Sequence, residues 1–305
     1  MLDVIVVGGG LAGLVVANRC AEGGLQVAVL EQGAGEDYLC NSRIATGAIN
    51  FAHTDPRSPA DKLVQSVMDD TEGHADPALA RALATVIGRG LDWLEAEGAV
   101  FDKRTVQDKR TVLLAPVRSF APGLDWQNRG ADVLLRRLTA NLKRRGGDLR
   151  LPSRATALLM EGDRCVGVEA MTSNGPQRLA ARCVVLADGG FQGNADLLRR
   201  HICRHPEALV QRSAGTGHGD AIVMAAAAGA KLVDMDRFYG HLLSRAARHN
   251  ARLWPYPTLD GLTGAGILVD RGGRRIFDEG LGGVTLSNCI AGLDIRSRPR
   301  SFSIP

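Results

Sequence analysis

Aromatic side chains are scarce here: Phe, Tyr and Trp together make up 4% of 305 residues. So few rings offer unpaired bases little to stack on, which argues against single-stranded nucleic-acid binding. A surplus of one charge is also lacking. The 37 basic and 33 acidic residues leave a formal net charge of +4, too small to mark a nucleic-acid or acidic-membrane partner. No apolar run is long enough to span a bilayer, and no charged leader with a cleavage site precedes the first apolar stretch. The expected compartment is the cytoplasm. Six cysteines, at 20, 40, 165, 183, 203 and 289, show no C-x-x-C and no paired-histidine spacing, so neither a metal site nor a disulfide framework is expected. Cys20, Cys165 and Cys183 fall among apolar neighbours and are expected to be small buried thiols. With 45% hydrophobic and 23% charged residues, the chain is long enough for one large or two ordinary globular domains.

What is present is concentrated at the start. Val4 to Val7 is a β-branched run that reads as a strand buried on both faces. Gly8, Gly10 and Gly13 then fit G-x-G-x-x-G. The first allows a tight turn, the second lets backbone N–H groups approach a pyrophosphate, and the third lets the next helix pack close. That helix, over 11–22 and beginning Leu11-Ala12, aims its positive dipole end at the diphosphate. Gly23-Gly24 stops it and 26–30 reads as a second parallel strand. Glu31 follows at the distance where a carboxylate accepts from ribose hydroxyls, which disfavours NADP and leaves FAD and NAD open. A lone glycine motif is weak, but strand, glycines, helix, strand and acid in register are together strong.

Residues 32–37 read as a loop. Residues 40–52 mix small polar residues and glycine with little periodicity, and by themselves also read as a loop. A short helix is expected over 59–70. Asp76-Pro77 starts another, on which Leu79, Leu83, Val86, Ile87, Leu91 and Leu94 repeat at helical spacing until Gly98. Two near-copies of one pentapeptide, Asp102-Lys103-Arg104-Thr105-Val106 and Asp108-Lys109-Arg110-Thr111-Val112, read as a basic, solvated hairpin or loop. An amphipathic helix is expected over 132–145, a β-hairpin over 155–170, and a last buried strand over 178–187 ending in Asp188-Gly189-Gly190-Phe191. A helix over 194–204, a glycine-rich loop over 213–220, a helix over 221–228 and a β-hairpin over 267–277 complete the chain. The texture changes past Asp234, which places a domain boundary near 235. Residues 294–305, rich in Arg and Ser, read as an undocked tail.

Taken in order, these landmarks resemble the FAD-dependent oxidoreductases of the fumarate reductase/succinate dehydrogenase flavoprotein superfamily, with relatives such as 3-ketosteroid dehydrogenases and tricarballylate dehydrogenase. The resemblance runs from Asp3 to about Glu279 and rests on five stretches: the glycine motif with Glu31, Asn41-Ser42 to Asn50, Val184 to Phe191, Gly215 to Asp234, and Gly273 to Gly280. It implies an α/β fold: a Rossmann-like FAD-binding domain (1–235) with a β-hairpin insertion, an incomplete α+β cap (236–293) and the tail (294–305). It implies FAD, with Asn41, Ser42, Thr46, Gly47 and Ala48 beside the flavin and Ala187, Asp188 and Gly189 near the adenosine half. Gln32, Ala157 and Asp220 are implied as further contacts, with Gly8, Gly10, Leu11, Ala12, Gly13 and Glu31. Where succinate dehydrogenases tether FAD through a histidine, Asn41-Ser42-Arg43 stands, so the flavin is expected to be non-covalent.

The resemblance places His241 where fumarate reductases bind a substrate carboxylate, against the plainer reading of a structural loop histidine. The proton-delivering arginine of those enzymes is not matched, because Gly280-Leu281-Gly282-Gly283 occupies its place, and their Glu/Arg relay ahead of the hairpin is unmatched too. Arg274 and Arg275 either hold a substrate carboxylate or are solvated, and His218 is expected to cap a helix or face solvent. The expected activity is hydride transfer between flavin N5 and a carbon next to a carboxylate or ketone of a small substrate, with an electron acceptor or donor as second partner. Two rivals stand beside it. One is an NAD-dependent dehydrogenase, which the long insertions after the second strand disfavour. The other is an FAD-binding fragment without turnover, because the family's closing segment is missing from this sequence.

Overall fold

A computed structural model describes residues 1–49, 51–52, 54–71, 73–106, 109–118, 126–254, 256–270, 272–293 and 302–303. Asn50, Asp108 and residues 294–301, which carried expectations above, lie outside the described residues.

Alternation along the first strand sets the layers. Strand β1 (Leu2–Val7) leads through the glycine turn into helix α1 (Leu11–Glu22) and strand β2 (Val27–Leu30), which pairs with β1 in parallel, Val4 to Val27 through Val7 to Leu30. Val4 and Val6 face one side of the sheet and Ile5 and Val7 the other, as a period of two requires. Both sides are covered, so the whole run is apolar.

Between β2 and the next sheet strand, the chain makes an excursion. It contains one helical turn α2 (Asn41–Ile44), strand β3 (Ala48–Ile49), helices α3 (Ala60–Asp70) and α4 (Pro77–Ala96), and the hairpin β4 (Phe101–Val106) with β5 (Lys109–Leu114). The 40–52 stretch is thus not all loop. Its two strand residues pair with Leu113 and Val112 of β5, a partner more than sixty residues away that local periodicity does not reveal. The first pentapeptide lies in β4 and residues 109–112 of the second in β5, and the far end of β5 turns inward at Val112 and Leu114, which are buried.

Helix α4 begins as expected, with the Asp76 carboxylate accepting from the N–H groups of Ala78 and Leu79. Its buried face is rotated from the one its large residues suggest. Ala80, Ala84 and Leu91 are buried, with Ile87 against α3, whereas Leu79 is 70%, Leu83 50% and Val86 42% exposed. The small alanines let α4 come close to Leu63 of α3, and that close approach decides the face.

Helix α5 (Gly130–Arg144) returns to the first sheet and lays Leu134, Leu135, Leu138 and Leu142 over Val4, Val6, Val27 and Val29 beside α1. All four leucines are at most 1% exposed, so truncating any to alanine costs about 2–5 kcal/mol. Fully buried Asn18 of α1 clips the two helices, donating from Nδ2 to the carbonyls of Leu14 and Leu138, each at 2.9 Å. Strand β6 (Asp148–Arg150) then joins β2 in parallel.

The hairpin β7 (Ser153–Glu161) and β8 (Arg164–Thr172) continues into β9 (Gly175–Leu186), giving the order β6-β2-β1-β9-β8-β7. β9 is shared. Its first half pairs antiparallel with β8, from Gly175 opposite Thr172, and its second half pairs in parallel with β1, from Ala181 to Leu186. Cys183 lies in that second half and is exposed, Cys20 and Cys165 are half-buried, and the buried thiols are Cys40 and Cys203. The expectation for the first three is therefore corrected. Their neighbours in sequence are apolar, but Cys183 sits on β9 near Cys20 at the end of α1, where cover of the sheet runs out.

Helices α6 (Ala195–His201) and α7 (Asp220–Ala227) follow, the second packing Ala221 and Met224 against Ile5, Val7 and Leu30. The remaining segment holds β10 (Ile267–Leu268), helix α8 (Gly282–Gly292) and β11 (Phe302–Ser303). The expected hairpin is present as a tight turn, with Asp270 Oδ1 accepting from Gly272 and Arg274 and an isolated bridge between Val269 and Arg275. β11 pairs antiparallel with β10, so the expectation of an undocked tail is corrected at Phe302 and Ser303. Their backbone groups complete the open edge of a strand.

Candidate functional site

Three parallel strands end side by side, and each hands over to a residue of the expected site. β1 ends at Gly8, β2 at Glu31 and β9 at Ala187, all on the carboxyl edge of the sheet, where open α/β folds bind ligands. The Ala187 N–H donates to the Val7 carbonyl at 2.8 Å, holding the first and third ends together. Gly8 has φ +100°, and a Cβ there would lie 2.6 Å from Ala187 O. A Cβ on Gly13 would meet the Gly8 carbonyl at 2.0 Å, so α1 can start this close to β1 only with glycine at both ends of the turn.

The first amides of α1 test whether a diphosphate fits. Gly10 caps the helix without a side chain, and the Leu11 N–H donates to Ser42 Oγ at 3.0 Å. The next two N–H groups, of exposed Ala12 and of Gly13, have no acceptor among the described residues. Unsatisfied amides at a helix N-terminus suit an anion. Glu31 is 5% exposed, and its two oxygens accept from the N–H groups of Gly9 and Gly33, each at 2.9 Å. Each carboxylate oxygen retains a second lone pair, so ribose hydroxyls can still donate to it. Tyr38 closes the turn from behind, donating to the Gly9 carbonyl at 2.5 Å, and burial pushes its phenol well up.

Asp188 accepts from the first-turn N–H of Ala221 in α7 at 2.9 Å, and burial raises its carboxyl above the usual range. Asp220 lies beside it but is engaged by Arg154 in a bidentate pair at 2.7 and 2.9 Å. Ala157 sits on β7 at a register shift, opposite Glu169. Gly189 (φ +91°) has open space around it. Thr46, Gly47 and Ala48 lie together at the start of β3, with the Gly47 carbonyl accepting from Leu114 and Thr46 and Ala48 exposed.

One loop links these groups to the segment past residue 235. Ala214 N–H donates to Asn41 Oδ1 at 2.8 Å, and Gln32 Nε2 donates to the Thr216 carbonyl at 2.8 Å. Two residues before Ala214, Arg212 donates from Nε to the Tyr256 carbonyl at 3.2 Å. Half-buried Arg212 is within electrostatic reach of Tyr239 and Asp260, and burial lowers its guanidinium below the ordinary value. There His241 is found, its ring 15% exposed, with Nδ1 against Asp260 Oδ2 and the Tyr239 ring edge-on at 4.7 Å. It is not among the residues at the strand ends; loop 212–220 is what connects the two places.

Arg274 is paired with Asp270, and Arg275 with Glu279 at 2.5 Å, so both brace the turn. His218 does not cap α7, whose N-cap is Gly219; the His218 carbonyl instead accepts from Asn194. Asp260 and Arg212 were missed in the sequence. Arg212 is one charged residue in a loop and Asp260 opens a short 3-10 helix (Asp260–Ala265), and their partners at 256 and 241 are joined to them by tertiary structure alone.

A parallel sheet with a glycine turn at its first strand end, open helix amides and a carboxylate at the second strand end defines a dinucleotide-binding protein. The chain belongs to the FAD-binding domain family, which matches residues 3–298, within the fumarate reductase/succinate dehydrogenase flavoprotein superfamily. The dinucleotide is accordingly FAD. The chain is 27% identical over 298 residues to a fumarate reductase (cytochrome) of Shewanella frigidimarina, covering 91% of this chain and 48% of that protein. It is 24% identical over 321 residues to a urocanate reductase of Eggerthella lenta, covering 95% and 48%. In fold it is similar to the open conformation of a flavocytochrome c3 fumarate reductase, with a TM-score of 0.73 and 23% identity, over 97% of this chain and 51% of that one. It is similar also to a 3-ketosteroid Δ1-dehydrogenase from Sterolibacterium denitrificans, with a TM-score of 0.76 and 18% identity, over 95% and 65%. The chain spans about half the length of the curated relatives it matches. Among the described residues no helix is long and apolar enough to cross a membrane, and no cluster of metal ligands occurs.

Proposed function

We propose that this protein is an FAD-dependent oxidoreductase acting on a small organic substrate with a carbon–carbon bond next to a carboxylate or ketone. The observation that carries the reading is the strand-end constellation: open amides of Ala12 and Gly13 for the diphosphate, with Glu31 beside them for the ribose. Bound there, FAD supplies hydride transfer. Gly10, Leu11 and Ser42 shape the diphosphate site, while Asn41 and Gln32 hold loop 212–220 against it. The FAD is held without a covalent bond, because Asn41-Ser42-Arg43 offers no imidazole. The substrate lies between residues 1–235 and a cap over 236–293, with His241 beside it. The relatives' names speak for this substrate class, since fumarate, urocanate and a 3-ketosteroid all carry unsaturation conjugated to a carbonyl group.

Flavin content of the purified protein tests the first half, and oxidation of a reduced viologen dye by fumarate or urocanate tests the second. A colourless protein that takes up no added FAD would overturn the proposal. Tight FAD binding with no turnover of any conjugated acid or ketone would restrict it to the cofactor.

A further inference from the structure

The contacts around His241 select one of its two ring nitrogens. Asp260 grips consecutive residues with its two oxygens: Oδ2 faces His241 Nδ1, and Oδ1 accepts the Leu242 N–H at 3.0 Å. The carboxylate is itself anchored. Leu259 N–H donates to the Leu242 carbonyl at 2.8 Å, and Leu243 bridges Thr258. Thr263 Oγ1 donates to the Asp260 carbonyl at 2.9 Å, and α8 comes so near that a Cβ on Gly283 would lie 2.2 Å from Asp260 Oδ1. A carboxylate only accepts, so Nδ1 carries the hydrogen and Nε2 is left to meet a ligand. No described residue hydrogen-bonds Nε2. The arrangement is that of a base held by a third group, the logic general to activated imidazoles.

We propose that Asp260 is the positioning residue that holds His241 in its Nδ1–H form, so that Nε2 exchanges the proton that accompanies hydride transfer. This rests on the flavoenzyme reading above. In the reducing direction the substrate receives a hydride from reduced FAD at one alkene carbon and a proton from Nε2 at the other. Two C–H bonds would form, while the C=C π bond, the hydride-donating N–H bond of the reduced flavin and the Nε2–H bond break; FAD would be left oxidised, and the imidazole neutral with its hydrogen on Nδ1. In the dehydrogenating direction the neutral Nε2 takes the proton. The reading also answers a gap: the place of the proton-delivering arginine holds Gly280-Leu281-Gly282-Gly283, and Arg274 and Arg275 are committed to Asp270 and Glu279.

The test is ¹⁵N NMR of the histidine-labelled full chain with FAD, at a pH where the ring is neutral, for wild type, Asp260→Asn and Asp260→Glu. Wild type should show hydrogen on Nδ1. Asp260→Asn keeps an acceptor for Leu242 but can donate to Nδ1, so the hydrogen should move to Nε2, and Asp260→Glu should restore it at least in part. With a turned-over substrate, Asp260→Asn should lower kcat about a hundredfold or more at unchanged flavin content, with KM nearly constant. Wild type with hydrogen on Nε2, or an Asp260→Asn tautomer and kcat equal to wild type, would overturn the inference. The wild-type spectrum decides this even if a variant fails to fold. Failure of the flavoenzyme reading would show separately, as wild-type protein without flavin.

Discussion

Glu31 has two duties, and a single substitution separates them. Its carboxylate pins the Gly9 and Gly33 amides and, in the proposed site, would also accept from the ribose. Glu31→Ala should weaken FAD binding roughly ten- to a hundredfold, the about 1.5–3 kcal/mol of a charge-assisted hydrogen bond, as read by flavin fluorescence titration. Glu31→Gln keeps an acceptor and should lose less; equal losses would mean that charge alone matters. Arg43 offers a second test. It is fully buried against Asp132, with its guanidinium 4.8 Å from the Tyr38 ring. Arg43→Ala leaves the buried Asp132 only the partly exposed Arg136 as a charge partner and should cost about 3–5 kcal/mol in urea unfolding. Arg136 reaches the same Asp132 from a side chain 43% exposed, and Arg136→Ala should cost under about 1 kcal/mol. At this scale the sequence was legible where backbone geometry dictates residue type. Gly8, Gly13 and Glu31 announce themselves through spacing, whereas Asp260 matters only because folding brings it to His241.

Among the elements, α4 shows the limit of periodicity. A stripe at helical spacing establishes a helix, but which side packs was decided by α3, and the alanines won. Leu83→Lys should therefore leave the urea midpoint almost unchanged, within about 0.5 kcal/mol. Ala84→Leu should destabilise by about 1–3 kcal/mol through overpacking against Leu63 and Phe51. The reverse order would restore the face that the leucines suggested. In the β10 turn, Glu279 accepts from Arg275 and from the Leu268 N–H at 2.6 Å, which push its carboxyl down to about 2. A depressed carboxyl stabilises above its unfolded pKa of about 4.3 and ceases to as pH falls toward 2. The urea-midpoint advantage of wild type over Glu279→Gln should thus shrink between about pH 4.3 and pH 2; a constant difference would contradict the pairing. The first strand–turn–helix–strand unit and the helix starts were readable because their signals are local. The β3–β5 pairing, with its partners more than sixty residues apart, was not.

For the whole molecule, the family and its cofactor were readable because the strand-end residues recur in order along the chain, while the link from the strand ends to Tyr256 through loop 212–220 was not, since it is made of contacts. Acid precipitation should release all the flavin into the supernatant; colour retained on the denatured chain would mean a covalent link the sequence does not provide for. The double pairing of β9 has a further consequence, in time. β1 and β2 are made before β9, the strand that closes the other side of β1, which begins to pair at Ala181, about 150 residues after Leu30. At roughly 5–20 residues per second, the growing chain carries an apolar, half-paired strand for about 8 to 30 seconds. Through that interval Ala187 and Asp188 do not yet exist, so a ribosome-bound chain exposes an apolar strand edge before it can assemble the strand-end site.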